Sequence, residues 1–357
     1  MRHVPPERLH ALALRIVRAT GSGEAEARAV ADHLVRSNLC GHDSHGVGML
    51  PDYVRMARGG MLLPNQELKT VVDFGAVLVL DAGRGFGQAM AGEAMRRGIE
   101  RARSTGAAIV CLRNSAHIGR IGHWAEQCAA AGMASVHFVN VSDHAAMQAP
   151  YGCSDARLGT NPFCAALPGP NGPAVLLDMA TSAIAYGKAR VARNKGVPVP
   201  DGSLIDAEGR PTNDPAPMVD GKGGALLAFG LHKGSGLAIL CELLGGALTG
   251  GMTLHPGHPQ LGGIVNSMLS IIIDPKVTRG DGLAEEVGAV EAWIKASPVA
   301  PGFAEILMPG EPEQRSFARR SAEGVPLDPR TLGDIVAAGV SLGLERAELA
   351  ALAGLDG

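Results

Sequence analysis

Apolar residues recur every three or four positions from Pro6 to about Cys40: Leu9, Leu12, Leu14, Ile16 and Val17, then Ala27, Val30, Ala31, Leu34 and Val35. That spacing lines one face of a helix, and the Gly21-Ser22-Gly23 break predicts two helices folded back on each other. The pattern resumes from Leu50 to Arg58 and stops at Gly59-Gly60, a glycine pair suited to a helix end. Between these helices lies GHDSHGVGML, Gly41 to Leu50, which sets two histidines, an aspartate and a serine in consecutive positions and then turns apolar. Farther along, strand-like runs at 76–81, 107–112, 134–141 and 174–179 alternate with helical stretches near 88–104, 121–131 and 183–194. Such alternation predicts an α/β domain. The proline- and glycine-rich stretch 197–217 is expected to form exposed turns. Beyond it a helix is predicted from about Gly234 to Leu248, a strand over 268–274 and two short helices after Asp328. The expected organisation is a helical segment, 1–70, packing with C-terminal helices in 311–357, around an α/β core at 71–310.

Composition narrows the class of function. A chain of 357 residues with 46% hydrophobic content buries a large core. Its net charge of -3, from 32 basic and 35 acidic residues, offers no broad positive field, so nucleic acid is not an expected partner. Glu7, Arg8 and His10 interrupt the N-terminus where a signal peptide needs an apolar run, and Glu242 interrupts the glycine-rich stretch 236–252, so no membrane span is expected. The six cysteines are widely spaced with no C-x-x-C pair, which reads as free thiols in a reducing cytoplasm.

Four segments carry candidate chemistry. In DAGRGFGQAM, Asp81 to Met90, glycines cluster between a strand and a helix as in a dinucleotide-binding turn. Gly83, Gly85 and Gly87 are spaced G-x-G-x-G, however, Gln88 takes the place of the third glycine, and the next strand ends in Arg113-Asn114 rather than an acid. A plain tight turn is therefore predicted. NSAHIGRIGHW, 114–124, sits between a strand and a helix, where α/β sheets collect ligands, and it places His117 and Arg120 on one loop. Histidine exchanges protons near neutral pH and arginine offers a forked donor to a carboxylate. In LLDMATSAIAYGKAR, 176–190, Asp178 ends a strand and Thr181 and Ser182 are expected at a helix start, able to hold a phosphate or simply to cap. In HKGSG, 232–236, Lys233 precedes a Gly-x-Gly that begins a helix and could neutralise a phosphate. No metal is expected, because His42 and His45 have no second ligand pair at standard spacing and His137 and His144 would lie partly in a strand. Ser44 lacks the G-x-S-x-G elbow of a hydrolase nucleophile.

Taken in order, DSHGVGMLPDYV, NSAHIGRIGHWAEQCAAAG, LGTNPFCAALP, LLDMATSAIAYGKARVA, PDGSLIDAEGRPT, HKGSGLAILCELLGGALTGG and ILMPGE resemble the type-2 malate/L-lactate dehydrogenase family over nearly the whole chain. The resemblance implies a non-Rossmann dinucleotide-binding fold, a mixed sheet core with N- and C-terminal helices, and a homodimer with the cofactor near the subunit interface. It implies NAD(P)-dependent reduction of 2-oxo acids to 2-hydroxy acids, with NAD the first expectation and NADP the alternative. Relatives reduce cyclic imino acids too, and a non-catalytic dinucleotide binder is the remaining alternative. Carried over by motif, the acid/base histidines are His117 and His45. The cofactor segments are Asp178, Met179, Ala180, Thr181 and Ser182, then His232 and Lys233, then Gly310, Glu311 and Pro312. Many relatives carry an arginine in the pattern S-H-G-[VI]-x-R, whereas Gly48, Met49 and Leu50 offer no charge here.

Hydride transfer to C2 of a 2-oxo acid is thus expected, with His117 exchanging the proton and His45 polarising the carbonyl or fixing the substrate. Arg120 is expected to grip the substrate carboxylate in place of the missing arginine, with Ser44 and Met49 also at the substrate. Asp43 is expected to orient an imidazole or to cap the next helix. The apolar Met49-Leu50 pair points to bulky or aromatic 2-oxo acids such as phenylpyruvate.

Overall fold

A computed structural model describes residues 1–169 and 172–355, so Asp356 and Gly357 of the expected C-terminal segment lie outside the described residues. The chain opens with β1 (Arg2–Val4), α1 (Pro6–Ala19) and α2 (Glu24–Leu39), then two 3-10 turns, Asp43–His45 and Val47–Met49, that lead into α3 (Leu50–Arg58). β2 (Lys69–Phe74), β3 (Val77–Asp81), α4 (Gly87–Thr105), β4 (Ala107–Ala116), α5 (Gly122–Ala130), β5 (Ala134–Ser142), β6 (Phe163–Gly169) and β7 (Gly172–Met179) supply most of the main sheet and the helices on it. α6 (Tyr186–Lys195), β8 (Leu204–Ile205), β9 (Pro211–Thr212), α7 (Ala216–Val219) and β10 (Ala225–Leu226) form a side layer, and α8 (His232–Leu240) follows. β11 (Val265–Ile273) returns to the main sheet, and α9 (Pro275–Thr278), α10 (Leu283–Lys295), α11 (Glu311–Glu323), β12 (Val325–Leu327), α12 (Pro329–Val340) and α13 (Arg346–Ala353) complete the fold.

The seven-stranded sheet has the order β2-β3-β4-β11-β5-β6-β7. β3 runs parallel to β4, while β11 is antiparallel to both β4 and β5, and β6 is antiparallel to both β5 and β7. It follows that β3, β4, β5 and β7 share one direction, so their C-terminal ends lie at one edge of the sheet. That edge releases the glycine turn after Asp81, the HIGRIG loop after Ala116, Asp143-His144 after Ser142, and Ala180–Ser182 after Met179. Open α/β sheets bind ligands at this kind of edge.

Two large apolar cores meet there. Leu9, Leu12, Ile16 and Leu34 of the first helices pack with Leu332, Ile335 and Leu349 of the last ones, and β1 pairs with β12. Phe86 and Ala116 belong to the same cluster, so the helical layer is seated on the sheet edge that carries His117. The second core buries Leu80, Val110, Leu112 and Ile272 of the sheet against Met95 of α4 and Trp124 of α5.

Several elements depart from the sequence reading for visible reasons. β2 is exposed along its whole length, with Val71, Val72 and Phe74 facing solvent, so it lacks the alternation that marks a half-buried strand. β6 buries only small residues, Cys164 and Ala166, which give a weak pattern. α10 buries no residue on any side. Stretch 197–217 is more than exposed turns: Val199 and Leu204 pack with Ala189 and Ala192 of α6 beneath a small sheet of order β10-β8-β9. The helix predicted from Gly234 starts at His232 and widens into a π-helix over Cys241–Ala247, where a Cβ on Gly245 would lie 2.8 Å from the Phe138 carbonyl oxygen of β5.

The glycine turn serves close packing. A Cβ on Gly87 would lie 2.3 Å from the carbonyl oxygen of His117, closer than any real contact, so glycine lets the start of α4 abut the HIGRIG loop. Gly87→Ala is expected to cost about 1–3 kcal/mol in stability through overpacking and to lower turnover by moving His117. Denaturant unfolding and steady-state kinetics check this, and unchanged values for both would remove the need for the close approach.

Candidate active site

A loop that leaves a strand end has N–H groups that no ladder takes up. Ile118 N–H donates to Asn266 Oδ1 of β11 at 2.9 Å, Arg120 N–H to His33 Nε2 of α2 at 2.8 Å, and Gly122 N–H to Asp178 Oδ2 of β7 at 2.9 Å. The loop after His117 is therefore fastened at every second residue. Gly119, with φ of +74°, is required by the same packing, because a Cβ there would lie 2.1 Å from His33 Nε2.

His117 and His45 stack with ring centroids 5.5 Å apart and planes 24° apart. His117 Nδ1 lies 2.8 Å from the hydroxyl of Tyr53 on α3, and that hydroxyl accepts from Gln88 Nε2 of α4 at 2.7 Å. His45 Nδ1 lies 2.9 Å from the Ser44 hydroxyl. Burial pushes His117 down to about 4, with the charge of nearby His144 adding to the effect. It pushes His45 down to about 3, helped by His117, His42 and Arg120. Both rings are thus neutral near pH 7. Tyr53 is shifted the other way, its hydroxyl held protonated by burial. His144 belongs to the same group: Ala116 and Ser142 face the same β11 residue, Val265, and the two histidines follow one and two residues later.

The remaining polar residues of GHDSHGVGML anchor the motif. Asp43 pairs with Arg320 of α11, at 2.6 and 3.1 Å, and accepts from Asn38 Nδ2 at 2.7 Å, so it neither orients an imidazole nor caps a helix. Asn38 Oδ1 accepts the Val47 N–H at 2.8 Å, and His42 Nε2 lies 3.3 Å from Glu313 on α11. Met49 packs half-buried against the helical core, and Leu50 is fully buried within it.

Arg120, expected at a substrate carboxylate, faces carboxylates of the protein while its Nε and Nη1 are buried without a hydrogen-bond partner among the described residues. Its side chain is 1% exposed, donates to Glu126, and lies 3.7 Å from Asp178. Arg36 shares Glu126 at 2.8 Å. Burial works against the charge on Glu126, but the two arginines outweigh it and hold the carboxyl below its usual range. Arg120 thus ties the HIGRIG loop to α5 and β7.

The three segments expected to hold a cofactor lie along β7 and the stretch that follows it. Asp178 turns inward, its carboxyl raised by burial. Thr181 and Ser182 do not start a helix: α6 begins at Tyr186, the Thr181 N–H goes to Thr160 O at 3.0 Å, and the Ala183 N–H goes to Leu227 O at 2.7 Å. Met179 and Ala180 are half-buried beside them. Phe229 N–H donates to Thr181 O at 3.0 Å, which brings the exposed His232 and Lys233 to this side, and Leu176 N–H donates to Pro309 O at 3.0 Å, which sets Gly310, Glu311 and Pro312 along β7. Glu311 pairs with Lys295 of α10. Two buried polar atoms in this region, Ser182 Oγ and Gln148 Nε2, have no partner, and the exposed Lys188, Arg190 and Lys233 carry no ion pair among the described residues. Unpaired donors and cations of this kind fit a phosphate-bearing dinucleotide.

Sequence reading missed Tyr53, Gln88, His33 and Asn266. The available signal was a polar side chain at a core-facing helical position, as at His33 between Val30 and Leu34.

A mixed α/β sheet with His117 at a parallel strand end stacked on His45, and with unpaired phosphate-type donors along β7, has the arrangement of an enzyme site that takes a phosphate-bearing ligand. The profile of the family described as Malate/L-lactate dehydrogenase matches residues 4–336, and the chain belongs to that family of oxidoreductases. It is 50% identical to hydroxycarboxylate dehydrogenase B of Escherichia coli (strain K12), over 90% of this chain and 89% of the relative. It is 44% identical to an L-lactate dehydrogenase of Cupriavidus necator, over 82% and 84%. The solved sulfolactate dehydrogenase from Methanocaldococcus jannaschii superposes with a TM-score of 0.87 at 32% identity, covering 97% of this chain and 99% of that one. Dehydrogenases of this family use a nicotinamide dinucleotide, and no helix among the described residues is long and apolar enough to cross a membrane.

The buried histidines give a test in pH. Besides His45 and His117, burial lowers His123 to about 4, His137 to about 3 and His33 well below its usual value. Unfolded, each takes up a proton near 6.5; folded, His45, His117, His123 and His137 do so only near 3 to 4, and His33 only well below its usual value. Their contribution to stability is therefore complete above pH 6.5 and is lost as pH falls toward 4, by up to about 1.4 kcal/mol per pH unit for each histidine. Unfolding free energies measured from pH 8 to pH 4 should fall steeply below 6.5. A level profile across that window would contradict the burial.

Proposed function

We propose that this protein reduces 2-oxo acids to 2-hydroxy acids, and catalyses the reverse oxidation, with His117 exchanging the proton. The observation that carries the reading is the placement of His117: at a parallel strand end, stacked on His45, with Nδ1 held by Tyr53 and Nε2 without a partner among the described residues. When bound, NADH or NADPH supplies the hydride that adds to C2, and its binding is supported by Ser182, Gln148, Lys188, Arg190 and Lys233. As the carbonyl π pair moves onto oxygen, His117 Nε2 gives that oxygen its proton, and His45, steadied by Ser44, polarises the same carbonyl.

Tyr53 and Gln88 serve both protonation states of His117. In the neutral state Gln88 donates to the Tyr53 oxygen and the Tyr53 hydroxyl donates to Nδ1, which leaves the ring proton on Nε2. In the protonated state Nδ1–H donates to Tyr53, whose hydroxyl turns to Gln88 Oε1 after a flip of the amide; that oxygen is buried and unpaired in the neutral arrangement. Because the free enzyme protonates His117 only near 4, kcat/KM for reduction should fall as pH rises, whereas the protonation of His117 by itself imposes no fall on kcat/KM for oxidation above about 4.

Absorbance assays with NADH and NADPH against pyruvate, phenylpyruvate, oxaloacetate and a cyclic imine test the reading. Turnover of 2-oxo acids is expected, with bulky ones accepted because Gly48, Met49 and Leu50 bring no charge. Strict preference for oxaloacetate would remove the bulky-substrate reading. His117→Asn should retain cofactor binding, followed by cofactor fluorescence, and lose turnover by 100-fold or more, of the order of ~10²–10⁴. A near-normal kcat in that variant would take His117 out of the chemistry.

Pairing of two copies fits the apolar surface of α8 and its continuation, where Leu231, Ile239, Leu240, Leu243 and Leu248 are all exposed. Light scattering should report twice the mass of one chain, and a single-chain mass would exclude this assembly.

A further inference from the structure

We propose that His144 binds the carboxylate of the substrate, and that it does so as an imidazolium formed when the acid enters. The proposal rests on the 2-oxo acid reading above and names the group that receives the acid. A carboxylate entering a half-buried crevice needs a cation, because an unpaired charge there loses its hydration. The arginines near the histidine pair each face a carboxylate of the protein, and Arg120, which keeps Nε and Nη1 without a hydrogen-bond partner, is only 1% exposed. Arg120 holds Glu126, Arg113 holds Asp81 at 2.9 Å, Arg320 holds Asp43, and Arg84 lies 3.5 Å from Asp143. No charge follows the S-H-G motif either.

His144 stands where a cation is missing. It leaves the sheet at the same edge as His117, since Ala116 and Ser142 both face Val265, and its charge acts on the His117 ring. His144 Nδ1 is within hydrogen-bond distance of the Ala145 carbonyl, so Nδ1 carries the proton in the neutral ring. Nε2 is then a bare acceptor with no partner among the described residues. Protonation turns Nε2 into a donor directed at an anion.

The charged groups facing His144 are few. Asp143 precedes it and favours the imidazolium, but that carboxylate already accepts the Leu261 N–H and pairs with Arg84; His117 opposes the charge. Burial keeps His144 neutral in the free protein, so the arriving carboxylate supplies what the imidazolium lacks. Acid binding and proton uptake are thereby linked. Lys188 is the competing cation: it neighbours Gly187, whose Cβ position lies 3.5 Å from Ser44 Cβ, but it is exposed to solvent.

The test is the pH dependence of kcat/KM for reduction of pyruvate and phenylpyruvate from pH 7 to 9, in wild type, His144→Gln, His144→Phe and Lys188→Gln. With protons required on both His117 and His144, the wild-type logarithm should fall more steeply than one unit per pH unit. His144→Gln, which keeps a donor, should flatten the slope to about one. His144→Phe should raise KM for the acid at least tenfold with little change in kcat or in KM for the cofactor. Variants at His144 with wild-type KM and slope would overturn the proposal, as would Lys188→Gln reproducing the rise in KM for the acid with KM for the cofactor unchanged. If wild type turns over neither these acids nor oxaloacetate, this proposal fails with the reading beneath it; if wild type turns them over and the His144 variants do not differ, only this proposal fails. Should His144→Phe not fold, the slope in His144→Gln decides.

Discussion

The site depends on one constraint: the HIGRIG loop is held by side chains buried beneath it. Asn266, His33 and Asp178 each take one of its backbone N–H groups, and they come from β11, α2 and β7. Buried N–H groups left unpaired cost about 1–3 kcal/mol each, so the three acceptors fix the loop far more tightly than a surface turn. The N-terminal helices therefore belong to the site. α2 supplies His33, α3 supplies Tyr53, and the apolar cluster that joins α1 to α12 and α13 also seats Phe86 and Ala116.

Burial that holds the loop also sets its proton affinities. Desolvation disfavours the imidazolium at His33, His45 and His117, while Arg120 keeps its charge because Glu126 and Asp178 surround it. On the proposed reading, neutral histidines suit proton removal from a hydroxy acid, and reduction in the opposite direction first requires a proton on the ring.

Much of this was legible in the sequence. Helical periodicity located α1, α2 and α3 closely, and the strand-helix alternation located β3, β4, β5 and β7, the strands whose ends build the site. The failure of the G-x-G-x-x-G spacing was informative too, since Gly87 abuts the His117 carbonyl and so serves packing. What escaped was whatever depended on tertiary partners. Periodicity marks a residue as buried but does not say that His33 will accept an N–H from residue 120, or that Arg120 will meet Glu126 one turn into α5. Strand β2 and helix α10 escaped because neither buries a face, and thus neither carries a pattern. The start of α6 was set too early because Thr181 and Ser182 resemble caps, while their backbone is taken by neighbouring chain segments.

Central to the site is His117, a neutral ring whose Nδ1 accepts from Tyr53. Imidazole nitrogen NMR on protein labelled with 15N-histidine, titrated from pH 8 to 5, observes this directly when His117→Asn is used to assign the signals. The expected result is a His117 ring protonated on Nε2, unprotonated on Nδ1, and still neutral at pH 5. A ring carrying its proton on Nδ1, or one titrating near 6.5, would contradict it.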